Sequence, residues 1–496
     1  MDYISSVLTA FPAAHSFNPD EPAEEDRAIR SYISALSGLG DTLREAVLAK
    51  PEYHLRLLDP SANSIGYLAV LEPLIATISP ASSSNHPSSS VDRNVVLDAT
   101  VDFLTQFDSR HIRYVGSLLL SVLEYVASGN AFSSLVTVEL LSTVLLRIDP
   151  AGSMFTSIHP TLATLAYESD YIDPVLEVID RDITSYPTLS RPKDSRPLCD
   201  ASLSPSVFIT VSSGMTRGIK ANTVLEYNFV CGLIYTSCHQ WGKAVKAFER
   251  VVTHPSKDKG VSKIMTEAYK RWMLVSLLYY GHAPTIPPYT SQSAKAIYTN
   301  ISAPYTSIAQ LFASSDAEKL RHEAESNRPI WEEAANQSLI DQVLSAYQQW
   351  QIINMRKVYT QISVSQIAVS TSSAVVNSPQ TTEDDVVTLI EGMIESGMLK
   401  GELHTAEDGA YLKFHADHDR LTEQDFARQI AQSHLIISSV GKEYQLVNDY
   451  LSGNREYVNH VVREQKRFDK EEEDPTGSFE SQIEDEDLMT GIIATG

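Results

Sequence analysis

The sequence is 496 residues long, 43% apolar and 21% charged, which are ordinary proportions for a soluble chain of a few domains. Its formal net charge of −24 opposes binding to nucleic acid, whose affinity rests on Lys and Arg neutralising phosphates. The same charge opposes adsorption to anionic membranes and fits a protein that binds other proteins.

Residues 1–24 are mixed in character, with Pro12, Pro19 and Pro22. From Asp26 to Lys50, Ile29, Tyr32, Ile33 and Leu36 precede Leu43, Ala46 and Val47, with Gly38 and Gly40 between them. This spacing predicts two helices joined by a tight turn. Ser64 to Ile78 is another apolar helix, and residues 79–90 are a Ser/Pro/Asn-rich flexible insertion. Three helical runs follow. They carry Val95 to Leu104, Ile112 to Leu123, and Leu135 to Leu145, the last stopping at Asp149-Pro150. Successive helices with short loops read as degenerate stacked hairpins. Four prolines between residues 183 and 206 mark a loop or boundary.

Thr223 to Pro255 matches a tetratricopeptide repeat in Gly232, Tyr235, Ala244, Phe248 and Pro255. The small Gly232 and Ala244 let two antiparallel helices approach, with Tyr235 and Phe248 expected to fill the space between them. Ser262 to Tyr280 gives the next long helix. Smaller helices follow from Ser291, and Ser338 to Val358 leads into a differently patterned stretch.

That stretch, Tyr359 to Phe414, holds the clearest punctuation of the chain. Ser363 with Gln366, and Thr382 with Asp385, are capping-box patterns, and Ile362 and Ile367 stand where a hydrophobic staple would sit. Glu383, Asp384 and Asp385 suit the positive end of the second helix, and Gly397 is placed to end it in the left-handed conformation. Strands around Lys400 to His404 and Ala410 to His415 flank an Asp408-Gly409 turn, with a third strand near Tyr359 to Ile362. Two helices and a hairpin in about 55 residues are a winged-helix reading. A final long helix runs from about Thr422 to Phe468, with Phe426, Ile430, Ile437, Tyr444, Val447, Leu451 and Val458 along one seam. Gly441 and Ser452-Gly453-Asn454 could kink or break it. Asp469 to Gly496 is acidic and expected to be disordered.

Chemistry-bearing motifs are missing from the sequence. There is no Walker-type loop, no Gly-x-Ser-x-Gly elbow and no His-Glu-x-x-His. His415 and His418 with Asp417 and Asp419 are the nearest approach to a metal cluster, and a solvated turn after the hairpin is the expected reading. Cys199, Cys231 and Cys238, an odd and sparse count, suggest reduced thiols in an intracellular protein. Cys231 and Cys238, seven apart on one expected helix, are two thiols without further ligands and make a poor zinc site. Met1-Asp2-Tyr3-Ile4 lacks a basic and an apolar region, so no signal peptide is expected. Val115 to Ala127 falls short of the roughly 20 residues a membrane span needs. Catalytic residues, cofactor and metal are therefore all expected to be none.

The pattern Tyr359-x-x-Ile362-x-Val364-x-x-Ile367-Ala368, Met393-Ile394-x-x-Gly397-Met398-Leu399-Lys400-Gly401 and Gly409-x-Tyr411-Leu412-x-Phe414 resembles the winged-helix half of a PCI domain. That domain is shared by the proteasome lid, the COP9 signalosome and a translation initiation factor complex. Within the PCI proteins the sequence most resembles the third-subunit family of the COP9 signalosome. Ser109-Arg-His111-Ile112-Arg113-Tyr114, Thr156-Ser-Ile158-His159, Gly232-Leu-Ile-Tyr235-Thr236, Ile264-Met-x-Glu267-Ala-Tyr269-Lys270 and Pro288-Tyr289-Thr290-Ser291 carry this likeness. It runs with gaps from about residue 25 to 445.

The resemblance implies an all-α dominated fold: a TPR-like helical-repeat solenoid, a winged-helix (PCI) subdomain with a small hairpin sheet, and a long C-terminal helix. The expected divisions are 1–205 for the N-terminal repeats and 206–417 for the PCI domain, with repeats to 336 and winged helix from 337. A bundle helix over 418–468 and a tail over 469–496 follow. It also implies a non-catalytic scaffold in the cytoplasm and nucleus. Such a subunit would support removal of Nedd8 from cullins by a zinc isopeptidase in another subunit. Its expected partners are other signalosome subunits, the first and eighth among them, the complex's C-terminal helical bundle, and cullin-RING ligases indirectly. The expected contacts are the sheet edge around Tyr359, Ile362, Leu403 and Tyr411, and the seam from Phe426 to Val458. Two alternatives stand beside it: a scaffold of the proteasome lid, and a winged-helix nucleic-acid adaptor. The acidic second helix of the winged helix argues against the adaptor.

Overall fold

The computed structural model describes residues 2–11, 22–79, 92–189, 196–255, 260–374, 382–406, 409–415, 423–452, 457–459 and 462–463. The Ser-rich insertion, apart from Ser79, the acidic tail and the His418–Asp419 turn lie outside them. The described residues form α-helices and one three-stranded sheet, the all-α dominated fold expected. The chain divides into two compact units. One comprises 1–355 and 366–386, the other 356–365 and 387–496.

The first unit is a succession of paired helices around a continuous apolar core. After a short first helix, Asp2–Leu8, the helix Pro22–Ala49 carries Ile29, Tyr32, Leu36, Leu43 and Val47 on a buried face, and breaks at Gly40 (φ 45°, ψ −124°). A residue with a side chain is strained at that φ, so glycine there makes the expected turn between two helical halves. Ser64–Ile78 follows with the expected limits, capped by the Asn63 side chain accepting from the Gly66 N–H.

The helix expected over Ile112 to Leu123 is instead two, Ser109–Ile112 and Gly116–Ala127. The reason is non-local. Arg113 turns inward to donate to the carbonyls of Leu198 (2.9 Å) and Asp200 (2.8 Å), and its guanidinium lies 4.0 Å from the Phe208 ring centroid. Tyr114 donates to Asp26 (2.6 Å) and accepts from the Cys199 N–H (3.0 Å). His111 sits 3.2 Å from Glu25. The proline-rich segment after residue 183 is thereby tied into the interior, with Cys199, Leu203, Val207 and Phe208 all buried. The first compact unit continues to Met355.

The tetratricopeptide-like hairpin is formed by Ala221–Ser237 and Trp241–Val252. A Cβ on Gly232 would lie 2.5 Å from Phe248 Cε1, so close approach requires glycine. Tyr235 is buried, with Lys243 of the second helix over its ring; its hydroxyl donates to Ile179 O (2.9 Å) and lies 3.0 Å from Asp180, joining the hairpin to an earlier helix, Asp173–Ile179. Cys231 is on the first helix, but Cys238 is the residue that ends it and is only half-buried. Lys263–Tyr280 packs next and contributes Trp272, Leu274 and Val275 to the core. Four shorter helices and Gln337–Met355 complete this part.

In the second unit the sheet has strands β1 (Gln361–Ser363), β2 (Gly401–Ala406) and β3 (Gly409–Phe414), in the order β1-β3-β2. Both pairings are antiparallel, with Ile362 opposite Leu412 and Leu403 opposite Leu412.

Candidate interface: the sheet edges and the C-terminal helix

Local sequence sets the frame of the sheet. The Thr382 N–H donates to Asp385 (3.0 Å) and the Asp385 N–H donates to the Thr382 hydroxyl (3.3 Å). This is the reciprocal cap expected. The helix it starts, Glu383–Glu395, is followed by Gly397 at φ 72°, and the Leu399 N–H returns to Met393 O (3.0 Å). Gly401 then opens β2. Alternation along the strands sorts the side chains by face. Ile362, Leu412 and Phe414 are buried, whereas Lys413 is exposed. On the polar face the His404 ring stacks on Tyr411 at 5.2 Å, and Glu402 lies 3.5 Å from both His404 and His415.

This topology separates the four sheet residues expected at the interface. Strand β3 is central, so Tyr411 is not an edge residue; it is half-buried beneath His404. Ile362 is on an edge strand, but its side chain is buried, leaving only main chain to offer. Leu403 is half-buried on the other edge strand. Tyr359 precedes β1 and is 39% exposed. Among the described residues β1 and β2 are the outer strands of the sheet, and strand addition is the interaction outer strands support.

The last helix, Glu423–Ser452, is exposed along its described length, with only Leu451 half-buried. Ile437 and Tyr444 are 71% and 70% exposed, and Phe426, Ile430 and Val447 are each more than half exposed. Ile430, Ile437, Tyr444 and Leu451 recur every seventh residue, with Phe426, Val440 and Val447 at the intervening apolar position. A strict seven-residue repeat is the signature of a helix that packs along a left-handed seam against other helices. Val458, seven positions after Leu451 in the sequence, is exposed. Ile436, which flanks the stripe, and Leu435, on the opposite face of the helix, are both exposed and were not singled out from sequence. The consecutive Leu435-Ile436-Ile437 run was the signal for them. Contiguous exposed apolar surface of this kind marks an interaction site.

A family profile described as "COP9 signalosome complex subunit 3, N-terminal helical repeats" matches residues 41–294. A Neurospora crassa protein named "COP9 signalosome complex subunit 3" is 36% identical over 510 residues, covering all of both chains. The chain belongs to the COP9 signalosome subunit 3 family. An Emericella nidulans protein of the same name is 29% identical over 340 residues, 68% of each chain. The profile falls on the helical pairs of the first unit, from Asp41 into the helix Gln292–Ile301. The Neurospora subunit 3 alignment extends through the sheet and the exposed helix.

Other chemistry is sparse. Among the described residues, no three His, Cys, Asp or Glu are grouped so as to hold a metal ion. No described helix is long and apolar enough to cross a membrane. Glu383–Glu395 carries Glu383, Asp384, Asp385, Glu391 and Glu395 and no Lys or Arg, which repels phosphate. Cys231 is buried and its thiol is pushed up to about 12 by loss of solvent, so it is a packing residue rather than a nucleophile.

Proposed function

We propose that this chain is a non-catalytic scaffold subunit of a COP9 signalosome. It would support removal of Nedd8 from cullins by an isopeptidase carried on another subunit. The observation that carries this reading is the exposed seven-residue repeat Ile430, Ile437, Tyr444, Leu451 on the last helix. One helix leaving this much apolar surface in water gains by entering a bundle with helices of other chains. The outer strands β1 and β2 offer a second contact, by extending the sheet into a neighbouring subunit's. The first and eighth subunits are the proposed neighbours, and cullin-RING ligases are met through the complex. The proposed locations are cytoplasm and nucleus.

The test is native mass spectrometry of the tagged chain purified at its endogenous level, with a cullin deneddylation assay on the same eluate. A multisubunit particle with deneddylase activity, whose isopeptidase is a different polypeptide, is expected. A particle of proteasome size would move the chain to the lid, and a monomer would contradict the scaffold reading.

A further inference from the structure

The seam occupies one face of Glu423–Ser452, but the apolar surface of this helix goes further round. Leu435, Ile436 and Ile437 are consecutive, and are 69%, 63% and 71% exposed. Successive helical positions turn by about 100°, so these three side chains span an arc of roughly 200° around the axis. Ile437 belongs to the seam, Ile436 flanks it, and Leu435 stands on the opposite face. A helix buries a stripe roughly 100° wide against a single neighbour. One partner helix can therefore cover Ile437 and reach Ile436, and it leaves Leu435 in water.

Charge points the same way. The thirteen residues from Gln429 to Gly441 hold no Asp, Glu, Lys or Arg, where a chain 21% charged would carry about three. All thirteen are exposed in the free chain. A helix bathed in water carries charge on its open faces, and one lacking it on every side is normally enclosed. The uncharged stretch Gly116–Leu123 of the first unit obeys this rule, with Leu119, Leu120, Val122 and Leu123 buried. Ile436 to Gly441 are, moreover, six middling or poor helix formers in succession. A helix of such residues is held by packing rather than by intrinsic preference. Charge returns at Lys442, two turns beyond Leu435 on the same face. We propose that residues 429–441 run through the interior of the assembly, between two helices of other subunits. One packs on the seam at Ile430, Ile437 and Val440, the other on the opposite face at Leu435. With no charged side chain along this length to pair with, the second helix is one presenting uncharged aliphatic side chains at helical spacing. Beyond Lys442 the coverage narrows to the seam. This rests on the scaffold reading and adds a second partner to the same helix.

Single substitutions in the tagged full chain, with the complex purified from cells, test this. Leu435→Asp is expected to lower recovery of the partner subunits at least tenfold, as Ile437→Asp should. Lys442→Asp, which puts the same acid on the Leu435 face two turns along, should stay within threefold of wild type. Leu435, Ile437 and Lys442 are all exposed in the free chain, so circular dichroism of each free variant should show unchanged helicity. Full recovery with Leu435→Asp overturns the proposal and leaves the seam standing. Equal loss with Leu435→Asp and Lys442→Asp also overturns it, because added negative charge would then be the cause. Full recovery with Ile437→Asp would sink the seam, and the proposal with it. In parallel, p-benzoylphenylalanine in place of Leu435 or of Ile437 is irradiated in the purified complex. Cross-links from the two positions to two different helices of other polypeptides are expected. Cross-links from both to one segment, a cross-link from position 435 to this chain itself, or none from position 435 overturns the proposal.

Discussion

Replacing Ile437 and Tyr444 by Asp separates assembly from folding. In the chain alone these side chains are 71% and 70% exposed. The double substitution should therefore change the stability of the free chain by no more than about 1 kcal/mol in total, helix propensity included. In an assembled bundle the same positions would be covered. Full burial of a large apolar side chain is worth about 1.5–3 kcal/mol. The exposed seven-tenths of these two then offer about 1–2 kcal/mol each. Each Asp would in addition leave a carboxylate to be desolvated without a partner, at about 2 kcal/mol or more. The sum is at least about 6 kcal/mol, or roughly four powers of ten in affinity. The assay is quantitative co-purification of tagged wild-type and variant chains, with circular dichroism and thermal melting of each free chain. Loss of the partners with unchanged helicity and Tm is expected. Retention of the variant at wild-type stoichiometry would refute the seam as the point of attachment.

Other expectations follow from the packing. Gly232→Ala places a methyl 2.5 Å from Phe248, and should cost about 1–3 kcal/mol by overpacking, read as a lower urea midpoint. Arg113→Met removes two hydrogen bonds to the Leu198 and Asp200 carbonyls. It should lower stability by about 1.5–3 kcal/mol and speed proteolysis after residue 196. Burial depresses the His159 pKa to about 4. Between pH 6.5 and 4 the unfolded chain therefore binds the proton first, and stability falls as pH is lowered through that window, by up to about 3 kcal/mol. Urea unfolding at pH 7, 6 and 5 should show this slope, and His159→Gln should flatten it. Thr382→Ala deletes the cap on Glu383–Glu395 and should cost about 0.5–2 kcal/mol in thermal melts.

Features written in local chemistry were legible in the sequence. Thr382 and Asp385 cap each other, Gly397 takes the left-handed conformation, and Gly40 breaks its helix, because each depends on a few neighbouring residues. The seam was legible for a similar reason: a seven-residue repeat is a property of one helix. Features that depend on distant partners were not. The break after Ile112 exists because Arg113 serves carbonyls some 85 residues away, and nothing adjacent to it announces this. The bond from the Tyr235 hydroxyl to Ile179 O was likewise not legible, because the position of that earlier helix is set by tertiary packing. Tyr411 was grouped with the sheet edges because strand order is not written in strand periodicity. With β3 between β1 and β2, its side chain stacks on His404 and is not edge surface.

Hydrogen–deuterium exchange over Glu423–Ser452, in the free chain and in the purified complex, addresses the central claim most directly. The account predicts fast exchange in the free chain, whose helix is exposed along this length, because open helices fray locally. It predicts protection by at least a hundredfold on assembly, centred on Ile430 to Leu451. Equal exchange in the two states would contradict it.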